Sequence, residues 1–387
     1  MSGALPERAE IVIVGGGVMG LGLAYNLARR GLTDVVVLEQ SYLCYGASGR
    51  NGGGIRAQWS TEDNIRLMLR SIELCKAFAR EMRMNIWFRQ GGYLFLARDA
   101  EVMAAVEKNV ALQNRCGVPT RLLSPAAARK IVPELELQGI LGAAYNPDDG
   151  VVFPWPFVWG YAQQATAAGV TVSPFTEVTG IERQGSEITA VRTSRGSIAT
   201  KIVVNATGAW SPRLAALAGV ELPNKPYRHE IMVTESLKPF LGPMVSLLGS
   251  GLYFSQSMRG EIVGGMGDPD EPPGLTFESS FEFATRFAEA ATNLIPALRG
   301  VRVLRQWAGC YDVTPDEHPI VGETPGLPGF VQLVGFGGHG FMMAPAVTES
   351  CARWLTGGDK DPFFDRYTLE RFADGGTGYA SESMIIG

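Results

Sequence analysis

The chain has 387 residues, more than one ordinary core fills, so two units are expected at roughly 150 residues per domain. With 46% hydrophobic and 19% charged residues it reads as globular, and a net charge of −5 without a basic block excludes the electrostatic footprint of a nucleic-acid binder. Five scattered cysteines (Cys44, Cys75, Cys116, Cys310, Cys351) with no C-x-x-C pair and no His at zinc-finger spacing read as reduced thiols of a cytoplasmic protein with no bound metal.

The chain opens on Ile11 to Val14, a β-branched strand, followed by a glycine turn (Gly15 to Gly20), a helix over Leu21 to Arg30 and a second buried strand, Asp34 to Glu39. Glycines interrupt the uncharged run from Ile11 to Ala28 and acidic residues precede it, so it is read as strand, turn and helix rather than a membrane span or signal segment. A loop rich in Gly, Ser, Asn and Arg covers Tyr42 to Arg56, and a helix is expected over Thr61 to Met82. Next come an alternating stretch from Phe88 to Leu96 and a helix over Ala100 to Cys116. Gly169 to Ser194 reads as short strands, Lys201 to Ala206 as an apolar strand, and Tyr227 to Glu235 and Leu252 to Gly265 as antiparallel strands. Phe277 to Ile295 reads as an amphipathic helix. The chain closes with a strand (Phe330 to Phe336), a glycine turn (Gly337 to Gly340), a helix (Phe341 to Leu355) and a tail, GGTGYASESMIIG, that reads as loose.

Strand-turn-helix units at both ends imply an α/β fold in which a Rossmann-like nucleotide-binding domain gathers discontinuous segments around a second, α+β domain with a mixed sheet. The expected division is 1–86, 140–215 and 301–387 for the cofactor, with 87–139 and 216–300 for the substrate.

Gly15, Gly17 and Gly20 form G-x-G-x-x-G between strand and helix. The first permits the turn, the second admits a pyrophosphate and the third lets helix and strand pack; Val18 and Met19 begin the helix whose N-terminus faces the phosphate. Glu39, followed by Gln40, ends the second strand where a carboxylate meets a ribose hydroxyl, which favours NAD or FAD over NADP. Many α/β proteins share a lone glycine turn, but here strand, helix, second strand and terminal acid occur together. The donor-rich run Ser48, Gly49, Arg50, Asn51, Gly52, Gly53, Gly54 suits a pyrophosphate and flavin, with a solvent loop as the competing reading. Ala206, Thr207, Gly208 and Trp210 give a second close approach of backbone to nucleotide.

The stretches IVIVGGGVMGLGLAYNLARRG, GASGRNGGGIR, NATGAW, YFSQSMRGEIVGG, VRVLRQWAGCYDVTPDEHPIVG and GFGGHGFMMAPAV fall within residues 10 to 372. On them the chain resembles the D-amino-acid-oxidase-like flavoprotein family, within it the sarcosine oxidase and proline dehydrogenase β subunits. The resemblance implies FAD, with Val178 on the adenine side and Gly338, His339, Gly340, Phe341 and Met342 near the flavin pyrimidine. It also implies oxidation of the C–N bond of a secondary amine or amino acid of the sarcosine, proline or opine type, by hydride transfer to flavin N5.

The Gly337 to Gly340 turn can turn N–H groups and a helix dipole toward the ring as it becomes electron-rich, with plain packing as the alternative. Arg56 is the candidate partner of a substrate carboxylate, since a guanidinium binds it bidentately; a structural ion pair competes. Tyr253 as pocket wall competes with core packing, and His339 as flavin or substrate contact competes with a neutral structural role. His229 and His318 are expected to be structural. Three departures narrow the reading. GVVFPWPFVW has no histidine where sarcosine oxidase β subunits attach FMN, and Gly309 stands where monomeric sarcosine oxidases carry the cysteine that binds FAD, with Cys310 one residue later, so FAD is expected to be unattached. Met342 replaces a carboxylate-binding lysine, which disfavours sarcosine itself. Ile262 is expected where monomeric relatives place an oxygen-activating lysine, so a dehydrogenase is favoured over an oxidase. The alternatives are an FAD-binding subunit active only in a hetero-oligomer and a 2-hydroxy-acid dehydrogenase; further subunits or an electron-accepting partner are expected.

Overall fold

The computed structural model describes residues 4–382. A six-stranded sheet gathers both ends of the chain in the order Ile320–Thr324, Leu327–Val334, Ile202–Asn205, Ile11–Val14, Val35–Leu38, Thr171–Ser173. Its strands are parallel except Ile320–Thr324, which pairs antiparallel at the edge. Continuous β-branched runs such as IVIV and VVVL are buried on both faces, as a parallel sheet covered on both sides demands. One face packs under the helices Val18–Arg29, Glu62–Met82, Pro154–Ala167 and Gly340–Leu355. The other lies against a three-stranded antiparallel sheet, Val178–Gln184, Glu187–Thr193 and Gly196–Ala199.

The second sheet has nine strands, in the order Phe336–Gly337, Val303–Val313, Lys225–Ser236, Glu261–Gly265, Leu252–Gln256, Met244–Leu247, Tyr93–Ala97, Gly142–Asn146, Arg121–Leu123. It is mixed, since Met244–Leu247 runs parallel to Tyr93–Ala97. Strand pleating sends Leu94, Val245, Phe254 and Ile262 to a core shared with the helix Phe281–Leu294, and leaves Tyr93, His229, Ile231, Met244 and Tyr253 on the opposite face.

Several sequence expectations change. Gly142–Asn146 and Val303–Val313, placed by sequence with the cofactor segments, pair into the nine-stranded sheet, because their partners are Tyr93–Ala97 and Lys225–Ser236. The strand expected from Phe88 begins at Tyr93, after Gly92 turns the chain at φ +87°. The stretch from 154 to 167, to which the sequence reading assigns no element, is the helix Pro154–Ala167, opened by Pro154 where a missing N–H costs nothing. The helix expected from Phe277 starts at Phe281, where the Ser280 hydroxyl accepts the Phe283 N–H at 3.1 Å. The tail is docked as far as Glu382: Asp316 accepts the Tyr379 N–H at 3.0 Å, His318 Nε2 contacts the Ala380 carbonyl at 3.0 Å, and Glu382 accepts from Ser60 N at 2.9 Å and Asn64 Nδ2 at 3.0 Å. The last residues of that stretch, 383–387, lie outside the described residues. Among the described residues no helix is long and apolar enough to cross a membrane.

Candidate active site

A cavity of about 520 Å³ runs from the carboxyl ends of the parallel strands to the face of the nine-stranded sheet. This is where an open α/β sheet places a ligand. Its two ends are built differently.

At the first end the wall is mostly backbone. Gly15 has φ +117°, and a Cβ there would overlap the Ala206 carbonyl; a Cβ on Gly17 would crowd Ser48 Oγ at 2.9 Å. The Ser48 hydroxyl accepts the Val18 N–H at 3.0 Å, and the Glu39 carboxylate accepts the Gly16 and Ser41 N–H groups at 2.8 Å each. Burial raises the Glu39 carboxyl above its ordinary value, against those N–H donors. Asn51 folds its own loop: its amide donates to the Ser48 carbonyl at 2.8 Å and its carbonyl accepts the Gly53 N–H at 2.8 Å. Val18, Met19, Gln40, Arg50, Gly52, Gly53, Gly54, Val178, Ala206, Thr207, Gly208 and Trp210 also line this stretch. Gly20 and Gly49 stand behind the wall as spacers, Gly20 against the Gly15 carbonyl and Gly49 against the Cys44 carbonyl and Trp155.

At the second end the wall is side chains. Arg56 is fully buried, donates to the Gln58 carbonyl, lies 3.2 Å from His339 Nε2, and stacks its guanidinium 4.1 Å from the Trp59 ring centroid. A guanidinium has no acceptor, so His339 Nε2 is the acceptor and its proton sits on Nδ1. Burial first, and then Arg56, hold His339 well below its ordinary value, so the ring is neutral. Behind Arg56, the buried Asp149 carboxylate accepts from Ala57 N at 2.7 Å, Asn146 Nδ2 at 2.7 Å and Gln58 Nε2 at 3.1 Å, which fixes the backbone carrying the arginine. Burial lifts the Asp149 carboxyl to about 7.

Opposite stands an aromatic group. His229 Nε2 lies 2.9 Å from the Tyr253 hydroxyl, and the imidazole stacks on Tyr311 at 4.5 Å between centroids. Burial lowers His229 to about 4 and raises the Tyr253 and Tyr311 phenols, so all three are neutral. The strand pleat turns His229, expected from sequence to be structural, onto the cavity wall, whereas His318 is buried elsewhere, against the Ala380 carbonyl. Tyr93, Tyr311, Met244 and Asp149 were missed. The alternation Gly309-x-Tyr311 on one strand against His229-x-Ile231 on its neighbour was the available signal. Gly338, Gly340, Phe341 and Met342 close the cavity at the start of the helix Gly340–Leu355. Asp312 joins the two sheets by accepting from Gly335 N at 2.6 Å, Ser211 Oγ at 3.4 Å and Asn224 Nδ2.

Residues 10–354 match the model of the FAD dependent oxidoreductase family. The chain belongs to that family. It is 34% identical to the sarcosine oxidase subunit beta of Rhizobium meliloti over 372 residues, 95% of this chain and 89% of the relative. It superposes on the L-proline dehydrogenase of P. horikoshii with a TM-score of 0.91 at 39% identity, covering 96% of this chain and 100% of that one. The glycine oxidase of Geobacillus kaustophilus gives 0.86 at 26% identity, covering 95% and 99%. As a family member the chain is FAD-dependent, and the first end fits the cofactor: its glycines let backbone segments close into a wall that no Cβ would permit, beside a carboxylate for ribose hydroxyls and the N-terminus of the helix Val18–Arg29.

Proposed function

We propose that this FAD-dependent oxidoreductase oxidises the C–N bond of a secondary amine or amino acid of the proline, sarcosine or opine type to an imine. The observation that carries the reading is a single buried guanidinium, Arg56, facing neutral aromatic walls: it suits a substrate with one carboxylate and an uncharged amine nitrogen. When bound, the flavin supplies the acceptor for a hydride equivalent from the carbon beside nitrogen. Arg56 holds the carboxylate in a charge-assisted pair made strong by burial. Tyr93, Met244 and Met342 exclude water from the apolar part of the substrate, and Met342, in place of a second cation, favours a larger body than sarcosine's. Tyr253, bridged to neutral His229, offers a hydroxyl as hydrogen-bond partner to the amine nitrogen. The N–H groups at the start of the helix Gly340–Leu355, with Gly338 and His339, face the cavity as donors for developing negative charge.

Non-covalent attachment is supported by the direction of Cys310: its thiol donates to the Thr276 carbonyl at 3.1 Å, on the side of the strand away from His229, and Gly309 faces Arg50. A dehydrogenase that passes electrons to a partner subunit or carrier is supported by the absence of any lysine from the cavity wall among the described residues. Ile262, expected above the flavin, packs into the helix-covered core instead, and the strand turns Gly265 toward His229 and Tyr253. In this reading segments 1–86, 140–215 and 301–387 hold the flavin, and 87–139 and 216–300 the substrate, with strands Gly142–Asn146 and Val303–Val313 lent to the substrate sheet. The relatives' name as a subunit supports assembly with further chains.

The test is anaerobic loss of the oxidised-flavin absorption band on separate addition of sarcosine, L-proline, D-proline, hydroxyproline, opines and a 2-hydroxy acid. Reduction by an amino acid, slow to reverse in air, is expected. Reduction by the hydroxy acid alone contradicts the proposal.

A further inference from the structure

The nine-stranded sheet ends in two edges that are treated differently. At one, Arg121–Leu123 is three residues long and Arg121 lies over Tyr145 at 5.2 Å, so little backbone is offered for pairing. At the other, Val303–Val313 has 11 residues, and only Asp312 and Val313 pair outward, with Gly337 and Phe336. Around 307–308 the edge meets Arg50, whose guanidinium donates to the Ala308 carbonyl at 3.2 Å and whose backbone carbonyl accepts from Trp307 Nε1 at 3.0 Å. Residues 303–306 have no outward strand among the described residues, and Val303 and Leu304 are 49% and 66% exposed.

Three exposed arginines, Arg299, Arg302 and Arg305, flank this stretch, and none makes an ion pair among the described residues. The Glu235 carboxylate accepts the Arg302 backbone N–H at 2.9 Å. Unpaired strand backbone demands another strand, and the exposed aliphatics demand apolar contact. A second copy of the same edge is disfavoured, because antiparallel self-pairing sets arginines against arginines.

We propose that this edge docks, by strand addition, an extended segment of a different chain that brings both an acidic and an apolar residue to each face of the sheet, because the pleat sets Arg302 with Leu304 on one face and Val303 with Arg305 on the other. The site lies on the outer rim of the sheet, so the inference does not depend on which substrate is oxidised. The full-length protein, loaded with FAD, is titrated with a short fluorescent peptide of repeating Val-Val-Glu-Glu, which carries Val and Glu on each face of a strand, and, in parallel, one of repeating Val-Val-Lys-Lys. Amide hydrogen exchange is followed in the same samples. Saturable binding of the Glu peptide is expected, with slowed exchange confined to 303–307. The doubly reversed variant Arg302→Glu/Arg305→Glu, both positions exposed and outside the cavity, is expected to weaken Glu-peptide binding by roughly tenfold and to favour the Lys peptide. Equal binding of both peptides, no protection at 303–307, or protection there from self-association without peptide overturns the proposal.

Discussion

The two ends of the cavity are built by opposite means. The nucleotide end is written in backbone: glycines whose missing Cβ lets neighbouring segments close against one another, N–H groups at a helix start, and one carboxylate, most of them between Gly15 and Gly54 in sequence. The reaction end is written in side chains from segments far apart in the chain, Arg56, Tyr93, His229, Tyr253, Tyr311 and His339, with Arg56 set against His339 and His229 against both Tyr253 and Tyr311. Substitution at the first end is therefore expected to change cofactor retention, and at the second end to change turnover with cofactor retained.

The largest break is expected at Gly15. Gly15→Ala combines a left-handed φ with overlap of the Ala206 carbonyl, and should lower FAD affinity by roughly a hundredfold or more, read by flavin fluorescence during reconstitution. At the other end, Arg56→Lys keeps the charge and loses the fork. It should lower kcat/KM by about a hundredfold, roughly 3 kcal/mol, with FAD content unchanged. Loss of flavin from that variant would instead assign Arg56 to the cofactor.

A smaller effect separates the ends by pH. Burial lifts the carboxyls of Asp149 and Asp312 to about 7 from an ordinary 3.8, so each contributes stability that is fully present below about pH 4 and is lost as pH rises through about 7. The urea midpoint should fall between pH 6 and pH 8, and Asp149→Asn should flatten that slope. His229 is held near 4, so no imidazole ionisation should appear in the turnover profile around neutrality. The smallest effect is expected for Tyr253→Phe, a loss of roughly tenfold or less in the rate of flavin reduction, because His229 and Tyr311 keep the wall intact.

The same contrast explains what could be read from the sequence. G-x-G-x-x-G, the Ser48 loop and Glu39 are local signals, and the strand, turn and helix they imply are present. Arg56, Tyr253 and His339 were reached through resemblance. Their neighbours were not, because nothing local in RHEIM or GCYDV says which face of a nine-stranded sheet will look onto a cavity; that depends on the pleat and register set by strands tens of residues away. Ile262 shows the cost of a one-residue shift: it is in the core while Gly265 meets His229. The docked tail was missed for a related reason, since Tyr379 and Glu382 are anchored by Asp316, Ser60 and Asn64, remote in sequence.

The central claim is that Arg56 reads a carboxylate while the adjacent C–N bond is oxidised, and rapid anaerobic mixing of the FAD-loaded protein with L-proline and with pyrrolidine, the same ring without the carboxylate, tests it most directly. Flavin reduction by L-proline at least a hundredfold faster than by pyrrolidine, with the gap narrowed in Arg56→Lys, is the result this account predicts. Equal rates for the two amines, or a gap that Arg56→Lys leaves untouched, would contradict it.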